Sequence, residues 1–206
     1  MPNGKATILI VDDDAVLRAS LGRLVRSLGF DAKLYASIPE FVESALPDGP
    51  TCLVLDVRFR ERSGLDLQRE LAAANVQLPI VFITGYGDIP MSVQALKGGA
   101  IEFLTKPFRD QDLLEAIQLG VARDRARREN EKSLRTLKER FESLSVRERE
   151  IMIQVVKGRL SKQIAGDFGI TDTTVKVHRS NLMRKMKTRS LPELTRIADK
   201  LKLLQD

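Results

Sequence analysis

Thr51-Cys52-Leu53-Val54-Leu55-Asp56, residues 51–56, is an apolar run that stops on a carboxylate. The run has the length of a buried strand. A charge buried without a partner is costly, so Asp56 belongs where the strand opens to solvent. Two other runs end in a similar way. Ile8-Leu9-Ile10-Val11 leads into Asp12-Asp13-Asp14, and Phe103-Leu104-Thr105 leads into Lys106-Pro107. An acidic cluster, a lone Asp and a Lys, each closing a β-like run, point to a site for a cation and a phosphate.

Strand patterns lie at 6–11, 31–35, 51–55, 79–83 and 100–104, with helical patterns between them. Leu17, Leu21, Leu24, Val25 and Leu28 follow helical spacing, with Gly29 as the stop. Ser63-Gly64 precedes a helix bearing Leu65, Leu67 and Leu71, and Met91, Val93, Ala95 and Leu96 precede Gly98-Gly99. Five strands alternating with helices predict a parallel, doubly wound, five-stranded α/β sheet. Such sheets bind ligands at the carboxyl ends of their strands, where Asp12, Asp13, Asp56, Thr84 and Lys106 all map.

Residues 109–141 read as one long helix. Leu113, Ile117 and Val121 give it an apolar edge, and ARDRARRENEKS (122–133) is almost all charged or small. Leu134, Leu137, Phe141 and Leu144 then resume at 3-4-3 spacing, as either an exposed linker or a short coiled-coil seam. The last 65 residues look all-α. Ser145/Glu148 and Ser190/Glu193 have the form of capping boxes. Between them, helices around 161–168 and 172–186 are joined through Gly169-Ile170-Thr171, a helix-turn-helix arrangement. The expected division is 1–120, a helical linker over 121–141, and 142–206.

Charge separates the same parts. Residues 1–120 hold 12 Lys/Arg and 16 Asp/Glu, a net −4; residues 121–206 hold 22 and 12, a net +10. A basic carboxy-terminal part suits nucleic acid, although charge alone also fits a solvated basic face. Hydrophobic residues make up 43% of the chain, enough for real cores. No apolar run approaches the ~20 residues of a membrane span, and Met1–Lys5 lacks a signal-peptide pattern. Cys52, the single cysteine, reads as a packing residue. A cytoplasmic, reducing setting is expected, with no membrane partner.

The chemistry follows from the residue types. Mg²⁺ prefers oxygen ligands, and Asp12, Asp13 and Asp56 supply them. A bound cation would relieve the repulsion of crowded carboxylates. Lys106 suits one phosphoryl oxygen and the Thr84 hydroxyl another, while a carboxylate can be the nucleophile toward phosphorus. On the helix at 172–186, a turn of ~100° per residue puts Val175, His178, Leu182 and Met186 on one face. Thr173, Lys176, Val177, Ser180, Arg184 and Lys187 share the opposite face, with Arg179 at the edge. The second set faces outward, toward a major groove. Lys176 and Arg179 suit guanine or phosphate, and Val177 a thymine methyl. Thr171 and Thr173 suit phosphate at the helix N-terminus. His178, the only histidine, reads as a packing or phosphate-contact residue rather than a metal ligand.

These residues carry a resemblance. VDDD (11–14), LD (55–56), SG (63–64), ITG (83–85) and TKPF (105–108) resemble a response-regulator receiver domain, and GYGDIPMSVQALKGGAIEFLTKPF (85–108) is similar to the FixJ branch. LSVREREIM and GRLSKQIAGDFGITDTTVKVHRSNLMRKM resemble the LuxR-type helix-turn-helix. The order is that of NarL/FixJ response regulators. The resemblance implies a phosphorylation-switched transcription regulator, not an enzyme. Asp56 would accept phosphate from a histidine kinase. Mg²⁺ would be held by Asp13, Asp56 and the Arg58 carbonyl, with Asp12 acting through water. Thr84 and Lys106 would contact the phosphoryl group, Lys106-Pro107 would be cis, and Phe103 would be the switch aromatic as well as a core side chain. Phosphorylation would promote a homodimer on double-stranded DNA, with RNA polymerase a further candidate partner.

The chain departs from the common receiver pattern at Phe59-Arg60, where many relatives have Met-Pro, so that Arg58–Arg62 carries three arginines. Arg58 and Tyr86 flank the site, either to screen water or, for Tyr86, as a plain loop aromatic. Asp14 has no assigned role. Two rival readings remain. An Asp-nucleophile phosphatase needs a second Asp two residues after the first, where this chain has Arg58. A receiver used only for dimerisation or ligand sensing leaves the full acidic set and Lys106 without a purpose.

Overall fold

The computed structural model describes residues 5–59 and 62–204, and the chain divides into two compact units after Arg128. The first unit contains β1 (Thr7–Val11), α1 (Ala15–Ser27), β2 (Asp31–Tyr35), α2 (Ile38–Glu43), β3 (Thr51–Asp56), α3 (Gly64–Ala73), β4 (Ile80–Thr84), α4 (Ile89–Lys97), β5 (Glu102–Thr105) and the start of α5 (Asp110–Glu142). All strand pairs are parallel, in the order β2-β1-β3-β4-β5. The doubly wound sheet is therefore as expected. Strand side chains alternate between two cores. Ile8, Ile10, Cys52 and Val54 pack with α1 and α5, whereas Leu9, Val11, Leu53 and Leu55 pack with α2, α3 and α4.

The order of the strands reverses between β1 and β3, and register there sets the site. Val11 pairs with Leu55, so Asp12 and Asp56 leave the sheet side by side. Polar strand-end residues also start the helices. Asp14, Ser37, Ser63 and Asp88 each accept a hydrogen bond from the first turn of α1, α2, α3 and α4. Asp14 thus has a local role that the sequence reading left blank. Gly64 is needed where α3 begins, because a Cβ there would lie 2.3 Å from the Asp56 carbonyl oxygen.

Some boundaries moved. β4 starts one residue late because Pro79 has no N–H to give the ladder, although its carbonyl accepts from Leu53. β5 starts two residues late because Ala100 still closes the end of α4 through the Ala95 carbonyl. Cys52 is fully buried, and burial, with the nearby Asp124 charge, pushes its pKa to about 12. No described helix is long and apolar enough to cross a membrane.

The second unit holds the end of α5 with α6 (Val146–Val156), α7 (Ser161–Phe168), α8 (Asp172–Met186) and α9 (Leu191–Lys200). Its core joins Leu137, Leu144, Ile151, Ile164, Val175, Leu182, Met186 and Leu194, with Phe141 packed against it. Leu137, Phe141 and Leu144 are therefore used within the unit's own core. At the other end of the expected linker, Val121 is buried in the core of the first unit. Gly169, with φ 62°, ends α7, and the Thr171 side chain starts α8 by accepting from the Thr174 amide. Ser145 and Glu148 form a full capping box. Ser190 caps α9, but Glu193 turns to the Thr188 hydroxyl (2.7 Å) and the Arg189 amide (3.1 Å) instead of the Ser190 amide.

Glu148 is buried and also takes a 2.7 Å ion pair from Lys185 of α8. Burial works to raise its pKa, but the hydrogen bonds from Lys185 and Ser145 outweigh it, so its carboxyl titrates below the ordinary glutamate value. Its stabilising contribution is then complete above that ordinary value and is lost as pH falls through the lowered one. Glu148→Ala should destabilise the second unit by about 1–2 kcal/mol through loss of the cap and the pair. Glu148→Gln should remove this acid-side dependence. Thermal melts of the full chain between pH 7 and pH 3 check both; a Gln variant with the wild-type pH profile would contradict the assignment.

Candidate functional site

The site is built from the carboxyl ends of β1, β3, β4 and β5. Asp12 and Asp56 are buried, and Asp13 is exposed. One carboxylate oxygen of each lies within 4.8 Å of the others. The Lys106 ammonium donates to Asp12 Oδ2 at 2.9 Å and to Asp56 Oδ2 at 2.6 Å. The other oxygens are held by backbone: the Asp14 amide donates to Asp12 Oδ1 (2.8 Å) and the Arg58 amide to Asp56 Oδ1 (3.0 Å). Lys106 is itself positioned by its amide, which donates to the Thr84 carbonyl at 2.7 Å, and the Lys106-Pro107 bond is cis. Three carboxylates and one ammonium leave two negative charges.

Burial raises the Asp12 pKa above the ordinary aspartate value, the hydrogen bond from Lys106 offsetting only part of the effect. Burial also opposes charge on Lys106, but hydrogen bonds to Asp56 and Asp12 outweigh it and hold its pKa above the ordinary lysine value. Asp14 titrates low because the Leu17 and Val16 amides donate to it.

The donor set suits a hard divalent cation: carboxylate oxygens, with room for water on the exposed side of Asp13. Arg58 pairs with Ser63 in a short antiparallel bridge. The hydrogen bonds of that bridge, Phe59 to Arg62 and Gly64 to Val57, leave the Arg58 carbonyl unspent on it. Arg60 lies outside the described residues. The Arg58 guanidinium sits 5.1 Å from the centre of the Tyr86 ring, and Tyr86 is exposed, so the two flanking side chains are in cation–π contact.

Thr84 is buried, and its hydroxyl accepts from the Tyr86 amide (3.3 Å) and donates to the Tyr86 carbonyl (3.4 Å). Phe103 is half-buried, its ring 6.3 Å from that of Phe82. Gly87 was missed in the sequence. A Cβ on it would lie 2.8 Å from Phe103 and 3.1 Å from the Thr84 methyl. Only glycine lets this loop rest on both side chains.

On α8, Val175, Leu182 and Met186 are buried and His178 is half-buried. Thr173, Lys176, Val177, Ser180, Arg184 and Lys187 are exposed, in agreement with the outward face read from the helical wheel, and Thr171 before the helix is exposed as well. Lys176 pairs with Asp172 at 2.7 Å. Arg179 is partly tied up, donating to Ser161 Oγ of α7 at 2.9 Å. Lys187 ends the helix in a left-handed conformation, φ 53°.

Comparison with known proteins gives one answer for both parts. Residues 8–118 match the response regulator receiver domain, and residues 142–198 match the bacterial regulatory proteins of the luxR family. The chain is 48% identical over 197 residues to nodulation protein W of Bradyrhizobium diazoefficiens, covering 96% of this chain and 87% of that protein. It is 39% identical over 192 residues to the transcriptional regulatory protein FixJ of Rhizobium meliloti, covering 93% and 94%. The solved structure of the response regulator StyR superposes with a TM-score of 0.87 at 44% identity, over 96% of this chain and all of that one. The chain therefore belongs to the response regulators of FixJ type, in which a receiver domain and a LuxR-type DNA-binding domain serve phosphorylation-dependent control of transcription.

Proposed function

We propose that Asp56 accepts a phosphoryl group from the phosphohistidine of a partner histidine kinase. The P–N bond of the donor breaks as a P–O bond forms to the Asp56 carboxylate. The observation that carries this reading is the convergence of Lys106 on Asp56 and Asp12, with Asp13 alongside. The Arg58 amide fixes the Asp56 carboxylate before transfer. Lys106 then moves from the carboxylate to a phosphoryl oxygen. The Thr84 hydroxyl leaves Tyr86 for another, and Phe103 follows into the space beside Thr84. Asp13, Asp56 and the Arg58 carbonyl are the proposed holders of Mg²⁺, with Asp12 acting through water. Bound there, Mg²⁺ would neutralise the crowded carboxylates and the incoming phosphoryl charge.

The working division is a receiver over 1–120 and a DNA-reading part over 142–206, in the cytoplasm, with 121–141 joining them as a helical stretch whose first residues pack into the one core and whose last pack into the other. Phosphorylation of Asp56 promotes a homodimer, so that two copies of α8 meet two half-sites on double-stranded DNA. Two sites about one helical turn apart combine their contacts, which supports dimerisation as the switch. RNA polymerase is the further partner of a regulator so placed.

Three outcomes test this. Wild-type protein with a small acyl-phosphate donor and Mg²⁺ should gain hydroxylamine-sensitive phosphate and sediment as a dimer, whereas Asp56→Asn should do neither. Wild-type labelling of the Asn variant would sink the acceptor assignment. Labelled protein that stays monomeric yet binds DNA more tightly would replace dimerisation with relief of inhibition.

Asp13→Ala should weaken Mg²⁺ binding by about tenfold or more, the scale seen when a metal site loses a supporting group. Titration of the full chain checks this, and unchanged affinity would move the metal elsewhere.

Lys176→Ala and Val177→Ala should flatten the sequence preference selected from a random DNA pool, while Lys187→Ala should weaken all sequences alike. Equal losses on selected and random DNA for all three would remove the distinction between readers and anchors.

A further inference from the structure

Asp124 lies on α5, within the stretch that reads as a charged linker, yet its side chain is fully buried. Its Oδ2 accepts from the Thr51 amide at 2.9 Å and from Arg128 Nε at 2.7 Å. Its Oδ1 accepts from Arg127 Nε at 3.0 Å. Arg128 also reaches the Pro47 carbonyl at 3.5 Å. One turn earlier, Gly120 brings the helix onto the same strand, since a Cβ there would lie 2.6 Å from Cys52 Sγ. Thus α5 is fastened to the first two residues of β3, the strand that ends in Asp56.

A solvated linker helix has no need of a buried carboxylate. Burying one is costly, and an apolar side chain at such a position is often no less stabilising. What the carboxylate adds is register. A one-residue slip turns the helix by ~100°, and Asp124 would no longer meet the Thr51 amide. β3 is buried along its whole length and paired on both sides. Thr51 and Asp56 are therefore the two ends of one stiff rod, roughly 16 Å long at the usual strand rise.

We propose that Asp124 is a positioning residue that fixes the register of α5 on the amino end of β3, and that the receiver's switch reaches the helix beyond Arg128 only while this anchor holds. The second half of this statement rests on the phosphoacceptor reading above; the first half does not.

The test uses full-length protein and Asp124→Asn, which keeps an acceptor for the Thr51 amide but removes the charge that pairs both arginines. Arg128→Gln is the milder companion should the Asn variant fold poorly. Without any phosphodonor, amide exchange over residues 121–134 should be faster in either variant than in wild type; unchanged exchange would overturn the anchor. With acyl phosphate and Mg²⁺, Asp56 labelling and the DNA affinity of unphosphorylated protein should match wild type. The gain in DNA affinity on phosphorylation, expected within the usual coupling range of about 5- to 150-fold, should fall below about twofold in Asp124→Asn. A merely structural residue would instead lower labelling and basal DNA binding together, and that result, or a full gain in the variant, would overturn the coupling. If wild type itself shows no gain, the phosphorylation switch fails, and the exchange data alone decide the anchor.

Discussion

The Lys106 ammonium, 2.9 Å from Asp12 and 2.6 Å from Asp56, is what lets two buried carboxylates share one sheet edge. At an effective dielectric near 20, unit charges 4 Å apart interact by about 4 kcal/mol. Two adjacent carboxylates with no cation would therefore lose one charge to protonation. Lys106 settles only part of this demand. Burial still raises the Asp12 pKa, and Asp13 adds a further charge at the rim. The edge is thus short of positive charge by construction, and a divalent cation and Lys106 are complementary answers to one electrostatic problem.

The fold was largely legible because its signals are local. Alternating faces in β1 and β3, an Asp or Ser at the starts of α1 to α4 and a polar residue closing β1, β3, β4 and β5 can be read within short windows. Asp12, Asp13, Asp56, Thr84 and Lys106 were legible for the same reason: each ends a run. What was not legible depends on partners far along the chain. The Asp124 partner, Thr51, is 73 residues away, and nothing in ARDRARRENEKS marks one Asp as buried. Gly87 is required by Phe103 and Thr84, contacts that exist only once β4 and β5 are paired. Leu137 and Phe141 fit both a seam and a core by spacing alone, and only packing assigns them to the core of the second unit.

In the DNA-binding unit, the wheel sorts α8 correctly into buried and outward faces, but it does not show which outward side chains are already engaged. Lys176 is held by Asp172 one turn earlier, which narrows its rotamers ahead of the proposed contact with DNA. Arg179 donates to Ser161, the first residue of α7, and so ties α8 to its neighbour. Val177 has neither polar partner nor cover; it is exposed at 55%. An apolar side chain in that position is tolerable on a free surface and useful against a thymine methyl.

The strength of the bonds around the site also indicates where a switch can act. Asp12 and Asp56 are held by contacts of 2.6 to 3.0 Å. The Thr84 hydroxyl is held only at 3.3 and 3.4 Å, both to Tyr86, beyond the usual range of a strong hydrogen bond. A phosphoryl group brings roughly −1.5 to −2 charges and three acceptor oxygens. Releasing Thr84 toward it gives up two weak bonds for one to an anion, which is stronger than a neutral one. Releasing the β1–β3 side would break the short contacts instead. In the proposed reading the edge therefore has a stiff half, β1 with β3, and a soft half, the β4–α4 loop. Motion starts in the soft half, where Gly87 keeps the loop against Phe103. Moving a two-state equilibrium by ~10⁴ requires roughly 5.5 kcal/mol of differential interaction, and no single bond at Thr84 supplies that. In that reading the phosphoryl contacts of Lys106, Thr84 and a bound cation would act together, so the switch would depend on the whole edge and not on the acceptor alone.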